Sequence, residues 1–99
     1  MVIKMIMNKE VYEKAIELWG KDFQILMLIE ECAELQQALI HRLRGRKEEG
    51  EIVEELADVQ IMIEQNRLIF DTENSFDDVK HKKLVRLNAR IKSENYELR

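Results

Sequence analysis

The sequence predicts an all-α chain of four helices, a bundle completed by dimerisation. Three observations lead there. The 99 residues contain no proline and only three glycines, so little interrupts a helix. Apolar residues recur at three- and four-residue spacing through four stretches. A single domain this short buries only a modest core alone, so a partner subunit is expected.

The first helix is expected from about Asn8 to Trp19, with Asn8 as its N-cap. Val11, Tyr12, Ala15, Ile16, Leu18 and Trp19 give it an apolar side, and Gly20 closes it. Asp22 caps the second helix, which is expected to run to about Leu43. Phe23, Leu26, Met27, Ile29, Ala33, Leu35, Ala38, Leu39 and Ile40 cover much of its circumference. A helix apolar nearly all round is buried by several neighbours, which again points to a second subunit. The turn from Arg42 to Gly50 places basic residues before acidic ones, as the two helix dipoles prefer. A solvated hairpin accounts for it; the sharper reading has one or two of its cations reach a phosphate. The third helix, about Glu51 to Phe70, has Leu56, Val59, Ile63 and Phe70 as a core stripe. Beside it lies an acid-rich stripe of Glu51, Glu55, Asp58, Met62 and Gln65. A polar loop, Asp71 to Ser75, offers caps for the last helix, about Phe76 to Asn95. That helix has Phe76, Val79, Leu84, Leu87 and Ile91 near one face, and it is the basic part of the chain.

The formal net charge of −4 gives no global attraction for nucleic acid or anionic membrane. No apolar run is long enough to span a bilayer, and the opening Met1 to Met7 is too short for a signal peptide. One cysteine excludes an intrachain disulfide and fits a reducing cytoplasm.

The chemistry concentrates in two stretches, Glu30-Glu31-Cys32-Ala33-Glu34 and Glu54-Glu55-Leu56-Ala57-Asp58. Residues three apart share a helix face, so Glu31 projects with Glu34, and Glu55 with Asp58. Antiparallel packing of the two helices lets all four carboxylates converge. Phe23 to His41 contains no Lys or Arg, and Glu48 to Asn66 contains none against seven acids. Solvated helix faces usually interleave charge signs. Unpaired carboxylates in a partly apolar setting repel, and a bound cation removes the conflict. Oxygen-only donors favour Mg2+, with Mn2+ as a substitute, over zinc.

Glu30-Glu31-x-x-Glu34, then Glu55-x-x-Asp58, resembles the EExxE…ExxD signature of the MazG-type all-α nucleoside triphosphate pyrophosphohydrolases. The resemblance extends from Trp19 to Arg86, taking in Gln24 and the basic Lys83-Leu84-Val85-Arg86, and the length is most similar to small bacterial and phage-borne members. It implies Mg2+-dependent cleavage of the α–β phosphoanhydride of a nucleoside triphosphate, giving a monophosphate and pyrophosphate. It implies Glu31, Glu34, Glu55 and Asp58 as metal ligands, and homodimers or dimers of dimers with sites near subunit interfaces.

Within that frame Glu30 or Glu34 is the candidate to take the proton of the attacking water. Lys83 and Arg86 are candidates to clamp phosphate, or are ordinary residues of a basic surface. Gln24, seven residues before Glu31, reads a base edge or sugar hydroxyl, or else caps a neighbouring helix. Trp19 is a core or interface residue, or stacks on a nucleobase. Cys32 is expected to pack as a small buried residue, and His41 and His81 to be surface or structural. A di-iron or di-manganese bundle is disfavoured, because neither His follows a Glu by three. A non-enzymatic helical dimerisation or ligand-binding module is the alternative. Neither the base nor the sugar of a substrate is encoded in any short motif, and phosphoribosyl-ATP chemistry on the same fold stays open.

Overall fold

In the computed structural model the backbone is described for residues 2–46 and 48–98, and the side chains for residues 8–46 and 48–94. Met1, the expected turn cation Lys47, and Arg99 lie outside the described residues. Four helices follow in order: α1 Val2–Trp19, α2 Lys21–Leu43, α3 Glu49–Phe70 and α4 Phe76–Leu98. Among the described residues there is no strand. No helix there is long and apolar enough to cross a membrane.

α1 starts six residues earlier than expected. Asn8 lies inside it, not at its cap. Val2 to Met7 contains neither glycine nor proline, so nothing stops the helix from extending backwards. α1 and α2 are separated by Gly20 alone. Its φ of 91° is left-handed, and its amide donates to the Ile16 carbonyl at 2.7 Å. The same residue is the N-cap of α2, in place of the expected Asp22, which falls inside the first turn. A Cβ at Gly20 would meet no neighbouring atom within 4 Å, so backbone strain is what opposes a side chain there.

α2 ends in a Schellman motif. Gly45 has φ 75°; its amide donates to the Arg42 carbonyl, and the Arg46 amide donates to the His41 carbonyl. α3 then returns along α2, and this helical hairpin is the dominant packing of the chain. α1 lies against both of its helices. Arg42 and Glu49 face each other across the turn at 3.5 Å, both exposed, a contact of little energetic weight.

The seam is small. The buried apolar residues are Ala38, Val59 and Met62, at 2%, 8% and 8% exposure. Gln24, Gln65 and Asn66 are buried with them. Asn66 carries the cross-link: its Nδ2 donates to the Gln24 carbonyl of α2 at 3.2 Å and to the Met62 carbonyl at 2.8 Å. Ala38 is small enough for close approach of the two helices, so Ala38→Leu is expected to destabilise by about 1–3 kcal/mol through overpacking. Thermal melts read by circular dichroism check this.

α1 is tied to α3 by Tyr12, whose hydroxyl donates to Glu64 Oε1 at 2.9 Å. Desolvation, then the hydrogen bond and charge of Glu64, push the Tyr12 hydroxyl from 10.0 up to about 12. An acid whose folded value is raised stabilises fully below its unfolded value, and loses that contribution as pH rises through the folded one. The window here is therefore pH 10 to about 12. Tyr12→Phe is expected to cost about 1 kcal/mol near neutrality and to remove that alkaline loss, as urea titrations on either side of the window would read.

The expected burial of the other apolar stripes is not found within one chain. Phe23, Leu26, Ile29, Leu39 and Ile40 of α2 are exposed, as are Leu56 and Phe70 of α3. Met62 and Gln65, placed by periodicity on the acid-rich side, are instead buried in the seam. On α4 every described residue after Phe76 is exposed. The physical reason is geometric: α4 makes no extended contact with the other three helices, so no second layer covers α2 and α3.

The joint before α4 is well fixed. Asp71 Oδ1 accepts from the Ser75 amide at 2.7 Å and the Ser75 hydroxyl at 3.2 Å, and Oδ2 accepts from the Phe76 amide at 3.2 Å. Desolvation raises the Asp71 carboxyl, but the Ser75 and Phe76 donors and Arg67 together outweigh it and hold it below the usual range. The Arg67 guanidinium stacks 4.0 Å over the Phe76 ring and reaches Asp77 at 3.4 Å. Asn74 adopts φ 56°, a left-handed turn residue.

Candidate metal centre

The α2–α3 hairpin places the two acid pairs opposite each other. Glu31 and Glu34 lie one turn apart on α2, and Glu55 faces them from α3. One carboxylate oxygen from each of these three residues falls within 4.8 Å of the others. Asp58, exposed and one turn beyond Glu55, stands outside this tight group but close enough to act on Glu31.

Glu31 is the most constrained member. Burial comes first in pushing its carboxyl above the usual range; the charges of Glu34, Asp58 and Glu55 and a hydrogen bond with Glu34 push the same way. Glu31 Oε2 and Glu55 Oε2 are buried and accept no hydrogen bond. An ionised carboxylate oxygen is acceptor-only, so an unpartnered buried one is unfavourable unless a cation or donor meets it. Three convergent carboxylates, two of which carry a buried unpartnered oxygen, have the donor chemistry of a hard divalent ion that takes oxygen ligands and keeps some of its waters.

A cleft of about 180 Å³ opens beside the group, lined by Glu34, Gln37, Ala38, His41 and Glu55. His41 and Gln37 were not singled out for this place from sequence. The signal was present: Gln37 and His41 lie three and seven residues after Glu34, on the same helical stripe.

The other candidates are dispersed. Glu30 is exposed beside Glu31 and outside the tight group. Cys32 is half-buried and free. Gln24 is buried, and its Nε2 donates to the Ala15 carbonyl of α1 at 3.3 Å, the helix-capping alternative for this residue. Trp19 is exposed, its ring 6.4 Å from that of Phe23 and tilted by 48°. It sits at the α1–α2 joint, about 15 Å along α2 from Glu31 by helical rise. Lys83 and Arg86 lie on α4, which does not pack along the carboxylate-bearing hairpin of its own chain. They line a shallow groove with Leu87 and Arg90.

The raised Glu31 carboxyl has a pH consequence. In a metal-free protein its protonated form is favoured by folding, so stability is present at mildly acidic pH and is lost as pH rises through the raised value. Melting temperature against pH in EDTA is expected to fall toward neutrality, and Glu31→Gln is expected to flatten that slope.

Comparison with protein-family models, with curated proteins and with solved structures gives no match to this chain.

Proposed function

We propose that the chain is a MazG-like, Mg2+-dependent nucleotide pyrophosphohydrolase. It cleaves the α–β phosphoanhydride of a nucleoside or deoxynucleoside triphosphate, leaving a monophosphate and pyrophosphate. The observation that carries the reading is the carboxylate cluster of Glu31, Glu34 and Glu55, in which Glu31 and Glu55 each carry a buried, unpartnered oxygen.

Glu31, Glu34 and Glu55 would hold the ion, with Asp58 beside them. When bound, a divalent cation supplies charge neutralisation for the phosphates and a more acidic water. Glu34 is exposed and lines the cleft, which supports it as the candidate that would accept a proton from that water; Glu30 is the other candidate. Lys83 and Arg86 bear the opposite charge and are the chain's candidate phosphate clamps. The reaction needs no protein nucleophile. In this reading the protein works in the cytoplasm as a homodimer or a dimer of dimers, without stable nucleic-acid binding.

The experiment is pyrophosphate release from a panel of ribo- and deoxynucleoside triphosphates, with Mg2+, with Mn2+ and with EDTA. Metal-dependent release is expected, and the preferred nucleotide identifies the base pocket. A folded protein that binds neither ion would overturn the reading. The broad exposed apolar surface favours a second one, a helical dimerisation module without turnover. That module predicts dimers and no release.

A further inference from the structure

We propose that the cavity at the α3–α4 elbow is a second ligand site, separate from the carboxylate cluster. It takes a neutral heteroaromatic ring with an amino donor beside a ring-nitrogen acceptor, the chemistry of an aminopurine or aminopyrimidine. The assignment stands apart from the hydrolase reading and uses none of the carboxylates or cations named for it.

The cavity measures about 370 Å³, within the range of roughly 300–1,000 Å³ typical of small-molecule pockets. Leu28 of α2, Ile63 and Phe70 of α3, and Phe76 and Val79 of α4 form its apolar wall. It shares no residue with the cleft beside the carboxylates. Ile63 lies five residues after Asp58, about 140° round α3, and Leu28 six residues before Glu34, about 120° round α2. The two openings therefore sit on different sides of the hairpin.

Asn66, Arg67, Asp71 and Ser75 also line the cavity, and two of these polar groups are already spent. The Asp71 carboxylate accepts from the Ser75 amide, the Ser75 hydroxyl and the Phe76 amide, which commits the Ser75 hydroxyl as well. Asn66 and Arg67 remain. Asn66 is 6% exposed. An amide nitrogen carries two hydrogens, and Nδ2 donates to both the Gln24 and the Met62 carbonyls. Those bonds orient the amide, and its Oδ1 is buried with no donor. An unmet buried acceptor is unfavourable until a donor reaches it. Arg67 spends one nitrogen, Nη2, on Asp77; a guanidinium has further N–H donors in its planar fork. The two residues are consecutive on α3, so an acceptor and a donor stand side by side at the wall.

These groups define the ligand. The apolar wall calls for a flat apolar body, and Phe70, 67% exposed, offers a ring to stack on. Asn66 Oδ1 requires a donor, and Arg67 an acceptor next to it. Charge decides between a neutral acceptor and an anion. Arg67 already serves two carboxylates, acting on Asp71 and pairing with Asp77 at 3.4 Å. An anion would bring a third negative charge to one cation, so a neutral ring nitrogen suits the site. An exocyclic amine beside a ring nitrogen, as in adenine or cytosine, has this pattern.

Nitrogen–proton correlation spectra of the full chain, titrated with adenine in EDTA, test the site without metal or triphosphate. Saturable shifts are expected at the amides of Leu28, Ile63, Asn66 and Phe76, with Glu34, Gln37 and His41 unmoved. Adding Mg2+ is expected to leave the affinity unchanged. Purine lacks the exocyclic amine, and indole lacks the acceptor. Each is expected to bind about tenfold more weakly, the scale of one buried polar group left unmet. Val79 is 47% exposed on α4, so Val79→Trp is expected to keep the helicity, fill the cavity and abolish the shifts. Adenosine against AMP then tells a nucleoside from a nucleotide as the source of the ring, and binding of either supports the site.

Equal affinity for adenine, purine and indole would overturn the assignment, because the two polar groups would then select nothing. Unmoved spectra at millimolar adenine, in a protein of native helicity, would do the same. So would a Val79→Trp chain that still binds adenine but no longer self-associates, which would make the cavity a contact between two copies. Adenine binding without pyrophosphate release sinks the hydrolase alone, and release without adenine binding sinks this site alone.

Discussion

Glu34→Ala is expected to lower Mg2+-dependent pyrophosphate release by on the order of 10²–10³-fold or more, the scale of losing one preorganised charge stabiliser at a reacting phosphate. Glu34 is exposed, so its loss leaves no core cavity, and the helical content is expected to be unchanged. It is the exposed member of the tight group, and with Glu55 it lines the cleft. In the proposed reading two functions would fail together: an ion ligand would be lost, and so would the candidate proton acceptor. The thermodynamics move the other way. Without metal, Glu34→Ala removes a repulsive neighbour of Glu31 and is expected to raise the melting temperature. With metal, the wild type gains the binding term RT ln(1 + [L]/Kd), and the variant gains much less. The pair of melts, with and without Mg2+, thus crosses over. Equal activity in variant and wild type would sink the carboxylate site.

Asn66→Ala should produce the largest loss of stability among single changes away from the acids. Its amide makes the one side-chain hydrogen bond, among the described residues, that joins α3 to the α2 backbone. The substitution strips a donor from the buried Gln24 carbonyl and leaves a small void beside Met62. Removing such a buried partner destabilises by about 1–3 kcal/mol, which lowers the melting temperature by roughly 4–8 °C per kcal/mol in a domain of this length. Asn66→Asp is a sharper probe: it keeps the shape and removes the donor, while adding a charge to the seam. If both variants melt with the wild type, the hydrogen bond across the seam contributes nothing.

The number of helices and the hairpin of α2 and α3 were legible because glycine and polar clusters mark the breaks, and apolar spacing marks the rest. The acid pairs were legible because i,i+3 spacing is a geometric statement, and because the missing basic partners are visible in one dimension. Other features were not. Asn8 reads as a cap only when the residues before it are ignored; nothing in Val2 to Met7 halts a helix. Gln24 reads as a substrate contact or a cap and Gln65 as part of the acid-rich stripe; their burial, and that of Asn66, depends on the hairpin, which brings Asn66 to the Gln24 carbonyl 42 residues away. His41 was set aside as isolated, since adjacency to Glu55 is created by the hairpin and not by the chain. The exposure of α4 was hidden for a different reason. Periodicity states which face of a helix wants cover, never which molecule supplies it.

A seam with three buried apolar side chains among the described residues has a calorimetric consequence. Denaturant slope and heat-capacity change both scale with the area uncovered on unfolding. A lone copy uncovers little, so it melts over a broad range and responds weakly to urea. In the proposed homodimer, association would change both quantities together, since folding and pairing would then involve the same surface. The transition sharpens, and its midpoint climbs with the logarithm of protein concentration. In such a dimer the amount of chain present, and not the sequence alone, would determine how much of it is folded.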